Sequence, residues 1–227
     1  MKNIRGNMTE IKRKWQIDST SVFWMFTVGS IAGFFMEGIW HILRKGTWES
    51  HSTLVWGPFC IIYGVGLVLI YLLTDYFHDR NIAFQTSMCM TAGALVEYFG
   101  SLLQEVCIGT VSWNYSRHFL NIGGRVSLKM TLLWGILGIL FVKLVYPKLS
   151  KIISGKKKKC TVAVTRACTV FMAINMLISF AALSRWEQRQ DEIPASGHVA
   201  VFFDQHFDDN YMEKHYPNMV FVRSEDD

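Results

Sequence analysis

Ionisable residues inside apolar runs are the first feature of this sequence that points to chemistry. Glu37 lies in the apolar run Val22–Leu43, and Glu97 and Glu105 lie in the run Ile82–Ile108. A carboxylate inside a membrane costs about 2.5 kcal/mol or more unless it is paired or faces water, so such residues mark functional sites by default. We therefore take all three as candidate substrate-binding residues.

Two further polar residues complete the candidate site. Tyr63 lies early in the second apolar run, and Arg125 stands at the entry to the fourth. We expect Glu37, Glu97 and Arg125 to meet, with Tyr63 and Glu105 at the rim, because buried charges in a membrane must find one another or water. Three acids around one arginine leave negative charge over, which favours a bound proton, cation or cationic headgroup. A purely structural ion-pair network is the other interpretation.

Other kinds of chemistry have no support in the sequence. It contains no Ser/His/Asp pattern, no H-E-x-x-H motif and no metal-ligand spacing, so we expect no enzyme, no metal site and no cofactor. Carboxylates beside a lipid headgroup could in principle do acid–base work. The five cysteines show no C-x-x-C pair, and a Cys60–Cys107 bridge is the only one that we weigh.

The elements that must position the candidate site are membrane helices. The 227 residues are 51% hydrophobic and 14% aromatic, and runs of about 17–25 apolar residues are long enough to cross a hydrocarbon core. We predict an all-α, five-helix transmembrane bundle over residues 21–183, after a basic segment at residues 1–20. The predicted spans are Val22–Leu43, Pro58–Phe77, Ile82–Ile108, Ser127–Tyr146 and Val162–Leu183. Pro58 suits the first position of its helix.

The distribution of basic residues predicts the orientation. The segments that we assign to the cytoplasm hold twelve Lys and Arg residues, whereas the outer loops and the residues beside the last helix hold six. This excess predicts a multi-pass protein of the cell membrane with a cytoplasmic N-terminus and an outer C-terminus. The basic run Lys156–Lys159 serves as a topology anchor or binds anionic lipid. Any pocket then lies at outer-leaflet depth.

The acidic tail, residues 184–227, is predicted to form two short amphipathic helices. Val199, Phe202, Phe203, His206 and Phe207 recur at helical spacing, and a second group follows from Tyr211 to Tyr216. Asp208 or Asp209 can cap the second helix. A strand over HVAVFF is the weaker interpretation. We also expect the mid-span Asn175 to bond a neighbouring helix.

A set of short segments carries a resemblance to a known family. They are Phe35–Trp40, Trp56-Gly-Pro with Tyr63-Gly-Val-Gly66, Leu95-Val-Glu97-Tyr98, Trp113-Asn-Tyr-Ser116, Asn121-Ile-Gly-Gly-Arg125 and Trp134-Gly135. In this order the sequence resembles the Putative ABC-transporter type IV family of small bacterial membrane proteins over roughly residues 30 to 150. Asn114 stands where the resemblance leads us to expect Asp.

The resemblance implies a permease subunit that works with a separate cytoplasmic ATPase. The chain itself has no G-x-x-x-x-G-K-[ST] loop, so it cannot hydrolyse ATP alone. Lys148–Cys160 is the one inner segment long enough to dock an ATPase. The alternative is a non-transporting accessory or sensory subunit that binds a partner or a lipid headgroup through its outer loops. We expect membrane lipids as partners and no nucleic acid, and both homo- and hetero-oligomers stay open.

Overall fold

The computed structural model describes residues 17–148 and 159–222. The predicted basic N-terminal segment lies almost wholly outside these residues, as does most of the predicted ATPase-docking segment. Seven α-helices are present in the described part: α1 (Ser19–Lys45), α2 (Ile61–Tyr76), α3 (Ile82–Ile108), α4 (Leu128–Leu140), α5 (Lys159–Gln190), α6 (Gly197–His206) and α7 (Asp209–His215). A π-helical turn, Phe141–Val145, extends α4. The prediction of a helical protein is confirmed.

Local sequence explains where several helices begin and end. The side chains of Asp18, Asn81 and Ser127 accept hydrogen bonds from backbone N–H groups in the first turns of α1, α3 and α4. Gly46 and Gly109 end α1 and α3 in the left-handed conformation, with φ of 76° and 64°, which glycine adopts without steric cost. These caps let α1 and α3 each run for 27 residues.

Three helices of the described chain are long and apolar enough to cross a membrane. They occupy Ser19–Lys45, Leu128–Lys148 and Thr161–Gln190. The outer face of α5 exposes large apolar side chains, among them Leu177 at 71%, as expected of a helix that faces lipid. The protein is therefore a membrane protein. The count of five spans is not established, because α2 has only 16 residues and α3 is less apolar.

The shortness of α2 has a visible cause. The N–H of Cys60 donates to the carbonyl of Ser30 at 2.9 Å, so α2 begins beside the middle of α1 rather than beside its end. Residues 53–60 extend from the end of the bundle to the level of Ser30 without forming a helix. Pro58 therefore lies three residues before α2 instead of at its first position. The hydroxyl of Thr53 accepts from the N–H of Ile61 at 2.9 Å and so replaces the missing first turn.

Close glycine contacts join α1 and α2. A Cβ atom added at Gly33 would lie 2.3 Å from Cγ of Tyr63, and one at Gly29 would lie 2.8 Å from Cβ of Leu67. The spacing of these glycines predicted close helix approach, and the structure agrees. Deeper in the bundle, an apolar core forms from Met25, Ile70, Tyr71, Cys89, Trp134 and Phe141.

The loops and the tail gather at one end of the bundle, which we call the capped end. Strand β1 (Thr110–Val111) pairs with β4 (Val220–Phe221), and β2 (Asn121–Ile122) pairs with β3 (Val126–Ser127). The helices α6 and α7 pack on the last turns of α5, which runs through the predicted boundary at residue 183. We call α6, α7 and β4 the tail cap. Where the tail cap meets α5 and the loop before α2, an apolar core forms from Val55, Ala182, Leu183, Trp186, Phe207, Met212 and Tyr216.

Helix α6 covers the segment for which a strand was the alternative, and Asp208 caps α7 as predicted.

Candidate functional site

The first half of the site joins α1 to the start of α2. The hydroxyl of Tyr63 donates a hydrogen bond to Oε1 of Glu37. Gly33, one turn before Glu37 on α1, leaves the space that the ring of Tyr63 fills. Both side chains are half-buried. The depth at which α2 starts therefore decides which α1 residue Tyr63 can reach.

The second half of the site joins α3 to α4. The indole N–H of Trp134 donates to Oε1 of Glu97 at 3.1 Å. Added Cβ atoms at Gly66 and Gly93 would lie 2.4 Å and 2.0 Å from Trp134, so both glycines leave space for the indole. Glu97 is only 8% exposed, and its Oε2 has no hydrogen-bond partner among the described residues. A buried carboxylate oxygen of this kind is one that a ligand or a proton can satisfy.

The two halves form one site. The rings of Tyr63 and Trp134 lie 5.6 Å apart between centroids, so the side chains that bond Glu37 and Glu97 are neighbours. Tyr115, from the loop between α3 and α4, faces both of them: burial first, and then the charges of Glu97 and Glu37, raise the pKa of its phenol. We call Glu37, Tyr63, Glu97, Tyr115 and Trp134 the carboxylate site.

Arg125 and Glu105 lie in a separate ion pair. Nη1 of Arg125 lies 2.7 Å from Oε2 of Glu105 and donates to the hydroxyl of Ser101 at 3.1 Å. The hydrogen bond with Glu105 raises the pKa of the guanidinium. The expected meeting of Arg125 with Glu37 and Glu97 is not found, because the indole of Trp113 holds the Arg125 carbonyl at 2.9 Å and the side chain reaches α3 nearer its end.

A group of histidines adjoins the carboxylate site. Nε2 of His41 lies 3.0 Å from one oxygen of Glu49, and Nε2 of His51 lies 3.6 Å from the other. Burial lowers the pKa of His51, against the opposing effects of Glu37 and Glu49. Within the described chain, no three His, Cys, Asp or Glu side chains are arranged to hold a metal ion.

The loop that precedes α2 is held in place by distant residues. Asn175 on α5 donates to the carbonyl of Trp56 at 2.7 Å and accepts from its N–H at 3.3 Å, so it bonds a loop and not the neighbouring helix that its sequence position predicted. The hydroxyl of Ser179 accepts from the N–H of Val55 at 2.9 Å. From the tail cap, the hydroxyl of Tyr211 donates to the carbonyl of Val55 at 2.9 Å. Non-helical backbone at membrane depth is tolerated only when buried and satisfied in this way.

The family model for Putative ABC-transporter type IV matches residues 24–180. The chain belongs to this family. No curated protein and no solved structure matches the chain. The matched region of this type IV family member contains the whole carboxylate site and ends at Phe180, before the tail cap begins.

Sequence reasoning missed two members of the site. Trp134 and Tyr115 both stand in segments that carried the family resemblance, but neither is ionisable in the ordinary range, so neither was named as a binding residue. In this type IV family member their roles depend on contacts made across the bundle. Glu49 and His51 were also not named from the sequence. They lie in the loop after α1, and only the structure shows that Glu49 contacts both His51 and His41 on α1.

Two other features lie away from the carboxylate site. At the opposite end of the bundle, the hydroxyl of Tyr146 donates to Oδ1 of Asp75 at 2.6 Å, while Oδ2 of Asp75 is buried without a partner among the described residues. A mainly apolar groove of about 570 Å³ runs between α3 and α4. It extends from Ser87 to Phe99 on α3 and lies beside Thr131 on α4.

Cys60 and Cys107 are both free, so the bridge that we weighed is not formed.

Proposed function

We propose that this protein is a permease-type membrane subunit that binds a solute at the carboxylate site and works with a separate ATPase. The observation that carries the proposal is Oε2 of Glu97, which is nine-tenths buried inside the bundle and has no hydrogen-bond partner among the described residues. A buried acceptor without a partner costs about 1–3 kcal/mol, and a bound solute can remove that cost by donating to it. Membership of the family supports a transport role for that site.

The proposal includes five membrane crossings. The first, fourth and fifth are the three long apolar helices α1, α4 and α5. For the second crossing, α2 supplies about 24 Å at 1.5 Å per residue, and the extended residues 53–60 supply the rest. The third crossing is α3, which carries Glu97 of the carboxylate site. With the N-terminus inside, as the Lys/Arg bias favours, the carboxylate site lies at outer-leaflet depth.

We place the ATPase-docking surface on the segment between α4 and α5, on the cytoplasmic side. The test is to purify the tagged full-length chain in mild detergent and to identify the proteins that accompany it. Co-purification of a protein carrying a G-x-x-x-x-G-K-[ST] motif supports the permease role. Charge reversal of Lys156–Lys159 should release that protein while leaving the insertion of the chain unchanged. Full activity in cells that lack every such ATPase contradicts the proposal.

A second candidate is an accessory or sensory subunit. It is favoured by the tail cap, which clamps the loop before α2 through Tyr211 and through the 2.6 Å contact of His215 Nε2 with the carbonyl of Leu54. A loop fixed in this way suits a protein that binds without moving its ligand across. In the same purification, a stoichiometric membrane partner with no ATPase supports this role instead.

A further inference from the structure

We infer that the carboxylate site binds a positively charged ammonium group, so that the solute is an organic cation. This inference rests on the proposed function, because it names the class of solute that the same site would take. It starts from the pairing of charges. Two carboxylates, Glu37 and Glu97, share the site, and the structure offers neither of them a Lys or Arg partner among the described residues.

The basic residues near the site are already used. Arg125 pairs with Glu105 at 2.7 Å. Nε2 of His51 lies 3.6 Å from Glu49, and burial holds the pKa of His51 below its ordinary value, against the opposing charges of Glu37 and Glu49. His41 pairs with Glu49 at 3.0 Å. With both carboxylates ionised, the site holds surplus negative charge, which a cation can neutralise.

The other groups in the site suit an ammonium ion. Oε2 of Glu97 accepts no hydrogen bond from the part of the chain that the structure describes, and Oε1 of Glu37 accepts from the hydroxyl of Tyr63. The rings of Tyr63 and Trp134 lie beside the carboxylates that their O–H and N–H groups bond, and aromatic rings attract alkylammonium groups through cation–π interactions.

A divalent metal ion fits these groups less well. Such an ion prefers three or more His, Cys, Asp or Glu ligands, and no such set exists among the described residues. An anion is disfavoured by both carboxylates. Among small charged ligands, an ammonium group is therefore the one that both the charges and the rings accommodate.

The experiment measures the midpoint of thermal unfolding of the purified full-length protein in detergent at pH 7.5. Methylammonium chloride is the probe, and sodium chloride at equal ionic strength is the reference. We expect methylammonium to raise the midpoint in a saturable way beyond the effect of sodium, because a ligand that binds only the folded state stabilises it. Glu97→Gln and Glu37→Gln should each abolish this extra shift. Tyr63→Phe, which removes the hydrogen bond to Glu37 but keeps the ring, should weaken it.

Glu213→Gln is the matched control. Glu213 is exposed on α7, so this variant removes one negative charge at the capped end without touching the site, and its methylammonium shift should equal that of the wild type. If Glu97→Gln does not fold, Glu37→Gln decides, since Glu37 is only half-buried.

Equal shifts with sodium and methylammonium would overturn the inference, as would a methylammonium shift that survives both Gln variants. Stabilisation by acid alone would assign a proton to Glu97 and overturn it too. The result does not depend on ATPase co-purification. Failure of co-purification with a positive methylammonium shift leaves a cation-binding protein that is not a permease, and the reverse leaves a permease for another solute.

Discussion

Replacing Asn175 by Leu should test whether the loop before α2 is held by its buried hydrogen bonds. Asn175 is fully buried and bonds both the N–H and the carbonyl of Trp56. Leucine branches at Cγ as asparagine does but is larger and has no polar atoms, so the peptide groups of Trp56 would lose both partners. Each orphaned buried group costs about 1–3 kcal/mol, which gives about 2–6 kcal/mol for the pair. Ser179→Ala orphans only the N–H of Val55 and should cost about 1–3 kcal/mol.

The assay is unfolding of the detergent-solubilised protein by increasing SDS, followed by tryptophan fluorescence. Met176→Leu is the control, because Met176 neighbours Asn175 on α5 but is 40% exposed on the outer face, and such substitutions usually change stability by no more than about 0.5 kcal/mol. Asn175 and Ser179 hold adjacent peptide groups and touch each other, so the double variant should cost less than the sum. If Asn175→Leu unfolds at the same SDS fraction as Met176→Leu, the loop is not held by these bonds and our account of α2 fails.

Three further predictions follow from single features. Gly93→Ala should lower stability and displace the indole that donates to Glu97, since the new Cβ would lie 2.0 Å from that side chain; the unfolding midpoint of the purified variant checks this. Hydrogen bonds from two arginines on α5 lower the pKa of Asp204, so its contribution to the tail cap is complete above its ordinary pKa of about 4 and is lost as the pH falls through the lower folded value. Hydrogen exchange of α6 should therefore speed up in that acidic range, and this change should be absent in Asp204→Asn. In a cysteine-free background, Thr47→Cys should react with an impermeant thiol reagent applied from outside and Asp79→Cys should not; the opposite pattern would invert the topology.

The bounds of α3 could be predicted from the sequence because both of its ends are local. Asn81 and Gly109 supply the cap and the stop within the sequence itself, so Ile82–Ile108 was predicted and found. The start of α2 could not be predicted in this way. Its position depends on Asn175, which lies 119 residues from Trp56, and on the tail cap. From the sequence, Pro58 to Cys60 were predicted to form the first turn of this helix, because the distant side chains that hold the loop before α2 in a non-helical conformation cannot be recognised there.

The site was predictable in part for a similar reason. Ionisable residues in apolar runs identified Glu37 and Glu97, and the structure brings both into one site with Tyr63. The partner of Arg125 was not predictable, because Glu97 and Glu105 are eight residues apart and lie near one face of α3, and only the loop geometry around Trp113 selects Glu105. Trp134 and Tyr115 were hidden because aromatic residues are common in apolar sequence and carry no charge.

The depth of α2 along α1 connects the fold to the site. Because Cys60 bonds the carbonyl of Ser30, Tyr63 lies beside Gly33 and its hydroxyl reaches Glu37. One further turn of helix before Ile61 would move Tyr63 by about 5.4 Å along α1, which is enough to break that hydrogen bond. The residues that bond the backbone of the loop before α2 lie in α5 and in the tail cap, and the tail cap lies outside the region that the family model matches. The arrangement of the carboxylate site therefore depends on the tail cap, which holds the loop before α2, as well as on the membrane helices that carry the site.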